Sequence, residues 1–116
     1  MAASRIIPSE ICDAIRRVAR LEFTHKGHYR VVEPYCHGIS TKGNEVLRAI
    51  QVRGSSTEER PGFKGGKLWD VQEMSELRVL DEPFVPDDPD YNPDDRGMVK
   101  IHCRIERPSK LSKRRK

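Results

Sequence analysis

Six side chains between residues 30 and 53 carry the chemistry most easily read from this chain. Arg30, Arg48 and Arg53 supply guanidinium groups, Tyr35 a phenol ring, His37 an imidazole and Gln51 an amide. Arginine grips phosphate oxygens through two parallel N–H donors and stacks on flat rings, and tyrosine offers a face on which a base can lie. Neighbouring strands would carry all six, so they form the predicted site for an anion or a base. The plain alternative is a solvated sheet face on which these arginines pair with Glu33 and Glu45.

Other reactive types are poorly arranged. His25 and His28 share a hairpin tip, with Cys36 and His37 beyond it. Zinc takes three or four such ligands, and no second paired motif completes a set, so solvated turn histidines and no metal site are expected. Cys36 next to His37, and His102 next to Cys103, would pair a nucleophile with a base. Successive side chains on a strand point to opposite faces, however, and this keeps each adjacent pair apart. There is no glycine-rich phosphate loop and no triad order. A non-enzymatic protein without a cofactor is expected. The three cysteines, Cys12, Cys36 and Cys103, are far apart and include no CxxC pair. They read as buried thiols in a reducing cytoplasm rather than as a disulfide framework.

These residues need elements to hold them. Ile11, Ala14, Ile15 and Val18 follow the i, i+3, i+4, i+7 spacing of one helical face, with Pro8 and Ser9 at its start, which predicts a helix over about 8–19. From Leu21 the period becomes two. A strand to Thr24, a turn at Gly27 and a returning strand Tyr29–Glu33 follow, stopped by Pro34, with Tyr35–Ile39 resuming after a bend. Glu45–Arg53 is the longest strand candidate. Lys67–Val71 and Leu77–Leu80 are short strands, with Trp69 in the core and a turn over Met74–Leu77. Val99, Ile101, Cys103 and Ile105 alternate with polar residues in the cleanest strand pattern of the chain. Between these lie two irregular segments, the glycine-rich loop 54–66, whose Phe63 is either packed away or a contact residue, and the proline- and aspartate-rich stretch 83–97.

The 116 residues fit one domain, 1–106, followed by a disordered basic tail, 107–116. Charged residues make up 34% and apolar ones 35%, so the core is small. No apolar run approaches the ~18 residues of a membrane span, and the first seven residues do not resemble a secretory leader. Six of the ten tail residues are basic, whereas residues 81–95 hold seven acids and no base. Such a tail either serves solubility alone or makes weak, salt-sensitive contact with nucleic acid. The acidic segment is placed to fold back on it or on the basic N-terminal half.

The run from Ile11 to Leu80 resembles the WYL domains. Ile11 to Phe23 is similar to that family's opening helix and first strand. Arg30-Val31-Val32-Glu33-Pro34-Tyr35 is similar to its second strand with the Pro-Tyr step. Gly43 to Ile50 falls where the family has its Gly-x-Trp-Tyr-Leu stretch, Trp69 to Met74 on a Phe-Arg-Leu-Asp-Arg-Ile stretch, and Val79 to Phe84 on the strand after it. The resemblance implies one N-terminal helix plus a small SH3-like or Sm-like β-barrel of five or six short strands, in a mainly β (α+β) chain of bacterial type. It also implies a ligand pocket for a nucleotide or single-stranded nucleic acid. Glu45 and Val46 replace the family's Trp and Tyr, and Asp70 and Glu73 replace two arginines, so a phosphate there would meet repulsion. The helix-turn-helix that precedes the domain in the family has no counterpart. The functional expectation is a cytoplasmic, non-enzymatic ligand-binding or regulatory module for a nucleotide or single-stranded nucleic acid. The alternative is a protein-interaction module, as a homodimer or with a partner protein.

Overall fold

The computed structural model describes residues 8–54, 66–86 and 91–106. The chain is mainly β, with one helix. The order is α1 (Pro8–Arg17), β1 (Ala19–His25), β2 (His28–Ser40), β3 (Glu45–Gly54), β4 (Lys67–Asp70), a 3-10 turn (Val71–Glu73), β5 (Met74–Pro83) and β6 (Met98–Arg104). All pairings are antiparallel, in the order β4-β3-β2-β1-β5, with β6 added to β2. No pairing between β4 and β5 closes the sheet among the described residues. The 54–66 loop (apart from its two end glycines), Phe63 and the basic tail lie outside the described residues.

The helix forms where its apolar stripe was expected and ends at Val18, whose φ of 53° leaves the helical region. Ile11, Ala14 and Ile15 are fully buried against Leu21, Phe23, Val32, Tyr35, Leu47, Trp69, Leu77, Phe84 and Ile105. Burying each of the larger side chains contributes about 1.5–3 kcal/mol. Trp69 is in this core as expected, its indole N–H donating to the Ala49 carbonyl at 3.1 Å.

The main departure is β2. Pro34 was expected to stop a strand, but the strand runs on for thirteen residues. Pairing with β1 ends at Val32, pairing with β6 begins at Cys36, and the β3 register slips between Pro34 and Cys36. Pro34 sits at this handover, where a residue without an N–H is tolerated. One long strand thus serves two partners along the same edge. That brings β6, more than sixty residues later, beside His37.

Cys12 and Cys103 are joined by a disulfide across 91 residues, which ties α1 to β6. This corrects the expectation of three thiols: only Cys36 is free, and it is buried. Closing a loop of that size stabilises a fold by about 4.6 kcal/mol in the chain-entropy account. Spacing could not show the bond, because only the β2 handover brings the two sulfurs together. No helix among the described residues is long and apolar enough to cross a membrane.

Candidate functional site

The six predicted site residues lie in separate places. Arg30 is buried, with its guanidinium 5.2 Å from the Trp69 ring and Nη1 donating to Gln51 at 3.2 Å. Gln51 also donates to the Arg53 carbonyl. Arg53 itself turns away to Glu82, at 3.0 and 3.2 Å. Tyr35 is in the core, its ring 5.7 Å from Phe84 and 4.9 Å from Tyr91. Arg48 is held by Asp95 through two bonds of 2.8 Å. His37 is fully buried beside the disulfide. Only Arg30, Gln51 and Arg53 remain neighbours.

The expected pairing of arginines with Glu33 and Glu45 is also redistributed. Glu33 is taken by Arg20 at 2.9 Å, and Glu45 faces His37. Acidic residues late in the chain do fold onto the basic half: Glu82 meets Arg20 and Arg53, and Asp95 meets Arg48. His25, expected in solvent, is buried edge-on to Trp69 at a ring distance of 5.1 Å, and burial lowers its pKa.

A different cluster gathers where α1, β2, β3 and β6 meet. His37 on β2 pairs with Cys103 on β6, and the register then skips His102, so that Gly38 pairs with Ile101. A skipped residue bends the strand and re-aims its side chain. This is why two adjacent residues, His102 and Cys103, serve one site despite the alternation expected of a strand. Gly38 permits the close approach: a Cβ there would lie 2.0 Å from the Lys100 carbonyl oxygen.

Glu45 opens β3, and its Oε2 lies 2.8 Å from His37 Nε2 and 3.5 Å from His102 Nε2. The two imidazole rings are 5.0 Å apart. On the other side of the His37 ring, Nδ1 is 3.8 Å from Cys12 Sγ. A disulfide sulfur has no proton to give, and neither has a carboxylate. Neutral imidazole carries one N–H between its two nitrogens. Either tautomer therefore leaves one ring nitrogen of His37 facing an atom that only accepts. In keeping with this, His37 Nε2 and Glu45 Oε2 are buried without an aligned hydrogen bond. Burial pushes the His37 pKa down, with the Glu45 carboxylate opposing, so the ring favours its neutral, ligand-competent form. His37, Glu45 and His102 present three ligand atoms within 4.8 Å of one another, and so do Cys12, His37 and Cys103.

Sequence reasoning placed His37 at a site but missed Glu45, His102, Cys12 and Cys103 as its companions. The one available signal was His102 beside Cys103 on the most regular strand, and strict alternation argued against using it. No family model, no curated protein and no solved structure matches the chain.

Proposed function

We propose that the protein is a non-enzymatic binding module whose ligand is a divalent first-row metal ion of the zinc type, held by His37 Nε2, His102 Nε2 and Glu45 Oε2. The carrying observation is that His37 Nε2, Glu45 Oε2 and His102 Nε2 converge within 4.8 Å of one another, with the first two buried and 2.8 Å apart. A cation between them resolves that contact. Metal–nitrogen and metal–oxygen bonds of about 2.0–2.2 Å put neighbouring ligand atoms roughly 3 Å apart, and the observed 2.8 and 3.5 Å bracket that spacing. Two imidazoles and one carboxylate suit zinc, cobalt, nickel or ferrous ions better than calcium or magnesium. An SH3-like roll of WYL type is proposed as the scaffold on the sequence resemblance from Ile11 to Leu80.

Calorimetric titration of the oxidised chain with Zn²⁺ tests the reading. One equivalent is expected to bind, with Glu45→Gln and His102→Gln each weakening binding at least ~10-fold. The absence of binding at millimolar metal, or binding unaffected by both substitutions, contradicts it.

One arrangement favours a nucleotide or single-stranded nucleic acid as a second reading. The buried Arg30 has no carboxylate partner among the described residues and, with Lys67, flanks Trp69. A buried cation without a counter-charge is costly, and a phosphate would offset it. Nucleotide titration followed by NMR at low salt should then move Arg30 and Gln51; unmoved signals remove this reading.

A further inference from the structure

We infer that reduction of the Cys12–Cys103 disulfide creates a second ligand set, a two-thiolate, one-imidazole site for a soft metal ion built from Cys12, Cys103 and His37. The inference deepens the metal reading above and shares His37 with it, but it uses the opposite nitrogen of the ring.

Three elements deliver the groups to one spot: α1 brings Cys12, β2 brings His37 and β6 brings Cys103. Their ligand atoms lie within 4.8 Å of one another. His37 Nδ1 is 3.8 Å from Cys12 Sγ. In a tetrahedral zinc site with Zn–N of about 2.0 Å and Zn–S of about 2.3 Å, nitrogen and sulfur are separated by roughly 3.5 Å. The imidazole is fully buried, so packing already fixes its orientation. On its far side, Glu45 is 2.8 Å from Nε2. Once Nδ1 binds a metal, the ring proton resides on Nε2 and Glu45 accepts it, the arrangement that orients ligating histidines and raises their basicity. The mismatch described above is thereby removed from both sides of the ring.

The chemistry balances with a dithiol as reductant. The dithiol transfers two electrons and two protons, the Cys12–Cys103 bond breaks to two thiols, and the dithiol becomes a disulfide. Binding of the metal then releases the two thiol protons. In the oxidised chain both sulfurs are spent on each other, so His37 is left to the Glu45–His102 side. In the reduced chain the softer thiolates favour Zn²⁺, Cd²⁺ or Cu⁺. The metal then replaces the disulfide as the link between α1 and β6.

The test is Co²⁺ titration, without oxygen, of oxidised and dithiol-reduced chain in a Cys36→Ala background. Thiolate-to-cobalt charge-transfer absorption is the readout, and circular dichroism monitors folding. Expected is a charge-transfer band in the reduced chain only, lost in Cys12→Ser and Cys103→Ser. His37→Gln should weaken binding at least ~10-fold. Should reduction unfold the metal-free chain, added Co²⁺ or Zn²⁺ is expected to restore the native dichroism. A folded reduced chain without the band, a band indifferent to Cys12→Ser, or an unfolded reduced chain that metal does not restore overturns the inference. Failure of the oxidised chain to bind Zn²⁺, with the reduced band intact, would count against the His37–Glu45–His102 reading alone.

Discussion

His37 Nε2 lies 2.8 Å from Glu45 Oε2, yet neither atom is in an aligned hydrogen bond. The two sit at the start and near the end of a tight excursion: β2 carries His37 outward, residues 41–44 turn, and β3 brings Glu45 back beside Ile39. The hairpin therefore sets the two residues diagonally across β2 and β3, and their side chains close the remaining gap. That makes metal linkage measurable as stability. Zn²⁺ at a hundred times its dissociation constant should stabilise the folded oxidised chain by about 2.7 kcal/mol, read as a rise in Tm, and should do so far less in Glu45→Gln.

The approach of β6 depends on Gly38. A methyl group there meets the Lys100 carbonyl oxygen at 2.0 Å and Ile101 Cα at 3.0 Å, both backbone atoms that cannot rotate aside. Gly38→Ala should cost about 1–3 kcal/mol, measured by urea denaturation. It should also weaken zinc binding by moving His102 away from Glu45. Unchanged stability would mean that β6 does not pair with β2 at this register.

Arg48 and Asp95 form a clamp between β3 and the segment preceding β6, with the Asp95 side chain only 5% exposed. Burial raises the Asp95 pKa, but the bonds from Arg48 and the Gly97 N–H outweigh it, and the net shift is downward. A carboxylate lowered in the folded state adds stability above its unfolded pKa of ~3.9, and that contribution is lost as pH falls through the folded value. Arg48→Met leaves the carboxylate buried without its cation. The variant should lose about 3 kcal/mol at neutral pH, and its acid unfolding midpoint should move to higher pH. A midpoint that does not move would deny the clamp its role.

Cys36 is fully buried with its sulfur 3.6 Å from Met98 Sδ, and burial pushes its thiol up to about 12. The reactive thiolate is then scarce at neutral pH. Iodoacetamide should leave the native oxidised chain unlabelled, add one group after denaturation and three after denaturation with reduction. Rapid labelling of the native chain would show Cys36 to be accessible.

How much was legible in the sequence follows from how local each signal is. The helix was readable because Ile11, Ala14 and Ile15 repeat at helical spacing, and β6 because apolar and polar residues alternate there. Pro34 misled because its effect depends on which strand lies alongside, and that is settled by the handover from β1 to β6. Arg48 was read as a ligand group because nothing local shows that Asp95, 47 residues later, neutralises it. Tyr35 was read as a stacking face because an alternating pattern does not show that the register slips beside it and turns the ring into the core. The His37 cluster was hidden for a related reason. Its partners come from α1, β3 and β6, and His102 reaches it only through a skipped residue in the ladder.

Metal binding at His37 and His102 can be read from the ring-nitrogen NMR resonances of the four histidines in the oxidised chain, recorded before and after one equivalent of Zn²⁺. Nε2 of His37 and of His102 should take metal-bound shifts while His25 and His28 stay as they were. Four unchanged histidines, or metal-bound shifts confined to His25 and His28, would contradict it.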